Sequence, residues 1–232
     1  MSTGFDGFRP EALGFLVELA LNNDRAWFTP RKSEYEALLK EPLEALCLAL
    51  DGELRTRGVP LSADRRSPFR IYRDVRFAKD KSPYKTNVGA SFPWTGPGGG
   101  VGGYFHLEPG ASFLGGGMWH PQPARLAAWR TAVVEDRAAV HGALEDPRFR
   151  SSFGEVDGDS LKRAPTGFAP DDPDVRLLKL KDVVFGRPVQ EDEILSPDLA
   201  AIIAAGLADA VPVLALLAGL PGHETGAPWL RD

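Results

Sequence analysis

The run from Phe69 to Asn87, FRIYRDVRFAKDKSPYKTN, gathers the side chains of this chain best suited to chemistry on an anion. Arg70, Arg73, Arg76, Lys81 and Lys85 can hold a phosphate or carboxylate, because a guanidinium offers a planar fork of donors and an ammonium adds a mobile point charge. Asp74 stands one residue from Arg73 and two from Arg76. Basic neighbours keep a carboxylate ionised, which suits Asp74 to orienting the arginines better than to acting as a general acid. Tyr72, Tyr84 and Tyr104 are candidates to shape a pocket around the anion. Ser82-Pro83-Tyr84 should turn the chain sharply and fold Lys85 back toward the arginines. The competing reading of the same residues is a ladder of Arg–Asp ion pairs that pins the segment to its neighbours.

Such a set needs a scaffold, and the alternation within it predicts a strand over Phe69–Phe77. Phe69, Ile71, Val75 and Phe77 would face one way, and Arg70, Tyr72, Asp74 and Arg76 the other. Arg73 falls on the apolar side, where an unpaired guanidinium is costly, so it requires a carboxylate or a bound anion. Upstream, apolar residues at helical spacing predict helices over Pro10–Leu21 and from Pro30 to about Arg57. Asn22, Asn23 and Asp24 end the first and cap a short turn, and Pro42 kinks the second.

Downstream, Thr86–Trp94, Tyr104–Glu108 and Ala111–Gly117 predict strands. A two-residue turn at Pro109-Gly110 would set Tyr104 opposite Gly115 and His106 opposite Phe113, with glycines leaving a gap beside Tyr104. A helix over Pro121–Leu144, a loop over Arg148–Gly167, a short helix opened by Asp172-Pro173-Asp174, a last strand in Lys179–Gly186 and a C-terminal helix from Pro197 complete the pattern. The expectation is a single α+β domain over residues 1–232: a helical N-terminal layer, a central antiparallel β-meander and C-terminal helices.

Composition bounds the function. The chain has 232 residues, a net charge of -5 and 43% hydrophobic residues, ample for a core. Between Asp64 and Lys85 eight basic residues face three acidic ones, a local +5 that leaves -10 for the remainder. This contrast suggests an anion site on an acidic body and makes nucleic acid the weaker partner. The lone Cys47 excludes an internal disulfide, and its leucine neighbours mark it as a core thiol. No signal peptide is legible, so the expected location is the cytoplasm. Leu199–Leu220 is apolar enough to suggest a membrane span, but Asp209 and Pro212 favour a buried helix kinked at the proline, and no membrane partner is expected.

Other chemistries lack their signatures. The glycine-rich TGPGGGVGG lacks the Gly-Lys-Ser/Thr ending of a P-loop and reads as a hairpin connection. His106 and His120 would lie roughly 20 Å apart on the expected register. His141 and His223 belong to other elements, so no metal site is expected. No hydrolase elbow or zincin helix occurs, and no motif names a cofactor or an oligomeric state.

Five stretches together resemble an uncharacterised family, domain of unknown function 2461 (DUF2461): LALNNDRAWF from Leu19, RIYRDVRFAKDKSPYKTN from Arg70, GGYFHLEPG from Gly102, FLGGGMWHP from Phe113 and LKRAPTGFAPDDP from Leu161. The resemblance spans nearly the whole chain and implies no established activity, cofactor or catalytic residue. In that family's pattern a histidine commonly precedes the proline where this chain has Asp172, so a histidine there is not indispensable to a shared reaction. Residues and resemblance together point to a pocket for a phosphorylated or carboxylated small molecule, enzymatic or not. The alternative is a non-enzymatic module contacting nucleic-acid backbone or protein.

Overall fold

Pro10 opens α1 (Pro10–Leu21), where a proline lacks no needed donor, and the helix buries Ala12, Phe15, Leu16 and Leu19. The Asp24 carboxylate accepts the Trp27 amide at 2.8 Å and so caps α2 (Arg25–Phe28), as the Asn-Asn-Asp cluster predicts. A 3-10 turn (Thr29–Arg31), α3 (Lys32–Tyr35), a π turn (Glu36–Lys40) and α4 (Glu41–Thr56) follow without a break. Pro42 lies in the first turn of α4, where its ring would crowd the Leu38 carbonyl of a regular helix. The backbone widens into the π turn at that point instead of breaking. Cys47 is fully buried on α4, and burial pushes its thiol up to about 12.

This computed structural model describes residues 4–222, so His223 lies outside the described residues. Behind the helical layer stands a four-stranded antiparallel sheet in the order β1 (Val88–Pro93), β2 (Gly102–Leu107), β3 (Phe113–Met118) and β4 (Val183–Pro188). The β2–β3 hairpin has the expected register, Tyr104 opposite Gly115 and His106 opposite Phe113. Its turn closes through the Ala111 amide on the Glu108 carbonyl at 3.0 Å, with Gly110 at φ +74. One sheet face packs under helices: a Cβ on Gly103 would come within 2.7 Å of Leu207. On that same face Phe185 meets Phe149 and Phe153 edge-on. The opposite face carries Tyr104, His106, Phe113 and Gly115.

Three expectations are corrected. Phe69–Phe77 is not a strand. The segment forms isolated bridges, Pro68 with Ala90 and Tyr72 with Tyr84, around an irregular tip. The cause is local: Asp74 accepts the Arg76 amide at 3.1 Å and Asp80 the Ser82 amide at 2.9 Å. Such turns compete with a ladder for the backbone. Arg148–Gly167 is not all loop, because Asp146 accepts the Arg148 and Phe149 amides and starts α7 (Pro147–Phe153). The Pro121–Leu144 helix is two, α5 (Pro123–Glu135) and α6 (Arg137–Leu144), interrupted at Asp136.

Asp172 accepts the Asp174 amide at 2.8 Å ahead of α8 (Val175–Lys179). After β4 come α9 (Glu191–Leu195), α10 (Leu199–Asp209) and α11 (Val211–Gly219). The last two are bent by 55° at a break beside Pro212. Ile203, Leu207, Val213, Leu214 and Leu217 are fully buried along them. No single helix among the described residues is long and apolar enough to cross a membrane.

The glycine-rich β1–β2 connection folds against the end of α11, where the Gly99 amide donates to the Ala218 carbonyl at 3.2 Å. Beneath it Arg125, only 3% exposed, donates to the carbonyls of Gly99 and Leu217 and to the Met118 sulfur. Burial lowers its pKa.

Candidate functional site

The α4–β1 loop is held to the helical layer through main-chain recognition. The Asn23 side-chain amide donates to the Tyr84 carbonyl at 2.9 Å and its oxygen accepts the Tyr84 amide at 3.0 Å. One side chain thus imitates a strand partner. Tyr84 itself is buried with its ring stacked on Phe28, centroids 4.0 Å apart, and so lies in the core. Tyr72, 49% exposed, lies over its outer side at 5.5 Å.

At the loop tip the charges close on one another. Arg73 donates to Asp80 at 2.5 Å and to the Ser82 carbonyl at 3.1 Å, a pairing within the exposed tip and not on the apolar face of a strand. Arg76 grips Asp74 with both Nε and Nη2, at 3.0 and 2.6 Å. Lys81 donates to the Val75 carbonyl at 2.9 Å. The Arg76 bond holds the Asp74 carboxyl down at about 2, with the nearby Arg70 adding to the effect. The Ser82 hydroxyl and amide, then Arg73, hold Asp80 well below the usual carboxylate range. Phe77 stands at the tip with 96% of its surface exposed.

The loop stem leads elsewhere. The Phe69 amide donates to the Gly89 carbonyl at the outer edge of β1, which this stem covers, and its ring lies 6.0 Å from that of Tyr104. Lys85 Nζ sits 5.4 Å over the Phe69 ring. The five basic residues therefore divide: Arg73, Arg76 and Lys81 in the tip, Lys85 at the sheet, and exposed Arg70 on the stem between them.

On the open sheet face β2 carries a hydrogen-bonded row at strand period. Tyr104 Oη lies 2.9 Å from His106 Nδ1, and His106 Nε2 lies 2.9 Å from Glu108 Oε2. With Nε2–H donated to the carboxylate, Nδ1 accepts the phenol proton, so one neutral tautomer satisfies the whole row. Burial, with Glu108 adding to it, pushes the Tyr104 phenol up to about 12 and keeps it protonated. Gly89 makes room for the phenol, since a Cβ there would stand 2.7 Å from Tyr104 Oη. Phe113 stacks on His106 with centroids 4.8 Å apart. Ser91, opposite Tyr104 in the β1–β2 ladder, is buried with its hydroxyl unpaired. The alternation Tyr-x-His-x-Glu was the signal for this row; Glu108 escapes a sequence reading because it also begins the turn. Among the described residues no group of three or more His, Cys, Asp or Glu side chains could hold a metal ion.

Fold and site thus describe an α+β protein whose four-stranded sheet is covered by helices on one face and carries a Tyr–His–Glu row on the other. A family model described as "Conserved hypothetical protein (DUF2461)" matches residues 11–215, and the chain belongs to that family. No curated protein and no solved structure matches the chain.

Proposed function

We propose that the open sheet face binds a phosphorylated or carboxylated small molecule, with Lys85 and Arg70 as the anion-holding cations and His106 as an acid–base group. The observation that carries this reading is the Tyr104–His106–Glu108 row beside the Lys85–Phe69 arm. A carboxylate behind an imidazole fixes its tautomer and stabilises the imidazolium, and a phenol in front supplies a proton path. Arg73 and Arg76, gripped by Asp80 and Asp74, shape the loop that presents the stem, and Lys81 braces it. Phe113 and Phe69 supply an aromatic edge.

A thermal-shift screen of phosphate and carboxylate esters tests this. A ligand at 100 times its dissociation constant adds about 2.7 kcal/mol, visible as a clear rise in Tm. The hit should vanish in Lys85→Ala and His106→Gln and persist in Lys81→Ala. A hit indifferent to Lys85 and His106, or none, overturns the assignment.

The exposed Phe77 and Tyr72 among Arg70, Arg76 and Lys79 favour a second reading, stacking of single-stranded nucleic acid on the loop tip. It requires oligonucleotide affinity that falls steeply with salt and is lost in Phe77→Ala.

A further inference from the structure

A cavity lies away from the Tyr104 face. It has a volume of about 360 Å³ and is walled by α6, α7, the segment after α7 and the start of α8. In its lining His141 bridges two carboxylates, Nδ1 to Glu145 at 3.0 Å and Nε2 to Asp174 at 2.9 Å. Both bonds, Glu145's first, raise the imidazole's pKa. Asp174 is buried, and its Oδ2 lies 2.6 Å from Arg137 Nη1 but off the line that a hydrogen bond needs. Also in the lining, two guanidiniums converge on one carboxylate: Arg150 at 3.2 Å and Arg176 at 2.8 Å from Glu155. Leu144, Val156, Pro173 and Leu177 supply the apolar part of the lining.

We propose that this cavity binds a free amino acid or a similar small zwitterion. Carboxylates, guanidiniums and hydrocarbon in one lining match an ammonium, a carboxylate and a side chain in one molecule. The ammonium is received by the exposed Glu145, whose acceptor capacity exceeds what His141 uses. The carboxylate is received by Arg150 and Arg176, the half-exposed Glu155 occupying the place of such an anion. Because the Glu155 pairs are solvent-exposed, a ligand carboxylate displaces them at little cost. The volume suits a ligand at the small end of the usual range.

The test is calorimetric titration of the full chain with each of the twenty amino acids, with butylamine and butyrate as single-charge controls. The expected result is saturable binding of at least one amino acid and at least about tenfold weaker binding of both controls, since each end makes charge-assisted bonds. Arg176→Gln and Glu145→Gln, both at exposed positions, should each weaken it about tenfold or more, with circular dichroism and Tm near wild type showing an intact fold. Silence from all twenty, equal binding of a single-charge control, or binding unaffected in both variants overturns the proposal. Lys85→Ala should leave this binding unchanged, which separates its failure from that of the sheet-face site.

Discussion

Replacing Asn23 by alanine should cost more than almost any other single change at a surface-near position. Its amide makes both bonds to the Tyr84 backbone, at 2.9 and 3.0 Å. Alanine leaves an N–H and a C=O orphaned in a part-buried seam beside the Phe28–Tyr84 stack. At about 1–2 kcal/mol per unsatisfied group the loss is about 2–4 kcal/mol. For a chain of this size that lowers Tm by about 5–10 °C. Asn23→Asp should recover the acceptor bond to the Tyr84 amide while setting a charge against its carbonyl, so it should fall between alanine and wild type. Urea unfolding with an unchanged m-value is the assay, supported by faster hydrogen exchange at the Tyr84 amide. An alanine variant within about 0.5 kcal/mol of wild type would refute the view that Asn23 moors the basic loop.

Two further outcomes follow from the geometry. His141 has a raised pKa in the folded chain, so the stability it contributes is complete below its ordinary value of about 6.5 and fades as pH rises through the folded value. Stability measured against pH should lose that decline in His141→Gln. Gly89→Ala would set a Cβ 2.7 Å from Tyr104 Oη and 2.9 Å from the Phe105 carbonyl. The phenol can swing away but the strand carbonyl cannot, so denaturant unfolding should report a loss of about 1–3 kcal/mol and the His106 ring resonances should move.

The hairpin was legible in the sequence because turn chemistry and side-chain alternation agree there: Pro109-Gly110 permits one register, and that register is observed. Asp24 was legible as a cap because capping is local. The segment Phe69–Phe77 misled because its alternation is real while its carboxylates offer the backbone shorter-range partners than any strand could. Within the site, Tyr104 and His106 share a face by period alone, whereas Asn23 meets Tyr84 across 61 positions of chain. No spacing rule announces a side chain that binds another segment's main chain. The cavity around His141 was likewise hidden, since α6, α7 and α8 meet only through tertiary packing.

Arg125 gives α11 a role beyond covering the sheet. A guanidinium keeps its charge at any pH at which the fold exists, and this one is balanced by main-chain carbonyls. The Leu217 carbonyl lies in the last turn of α11, where peptide dipoles concentrate negative potential. This helix is in effect the counter-ion of a charge sealed beneath the sheet's glycine-rich connection. Such a helix cannot fray away by degrees without stranding that charge in hydrocarbon. The sheet and α11 are therefore bound to be gained or lost together.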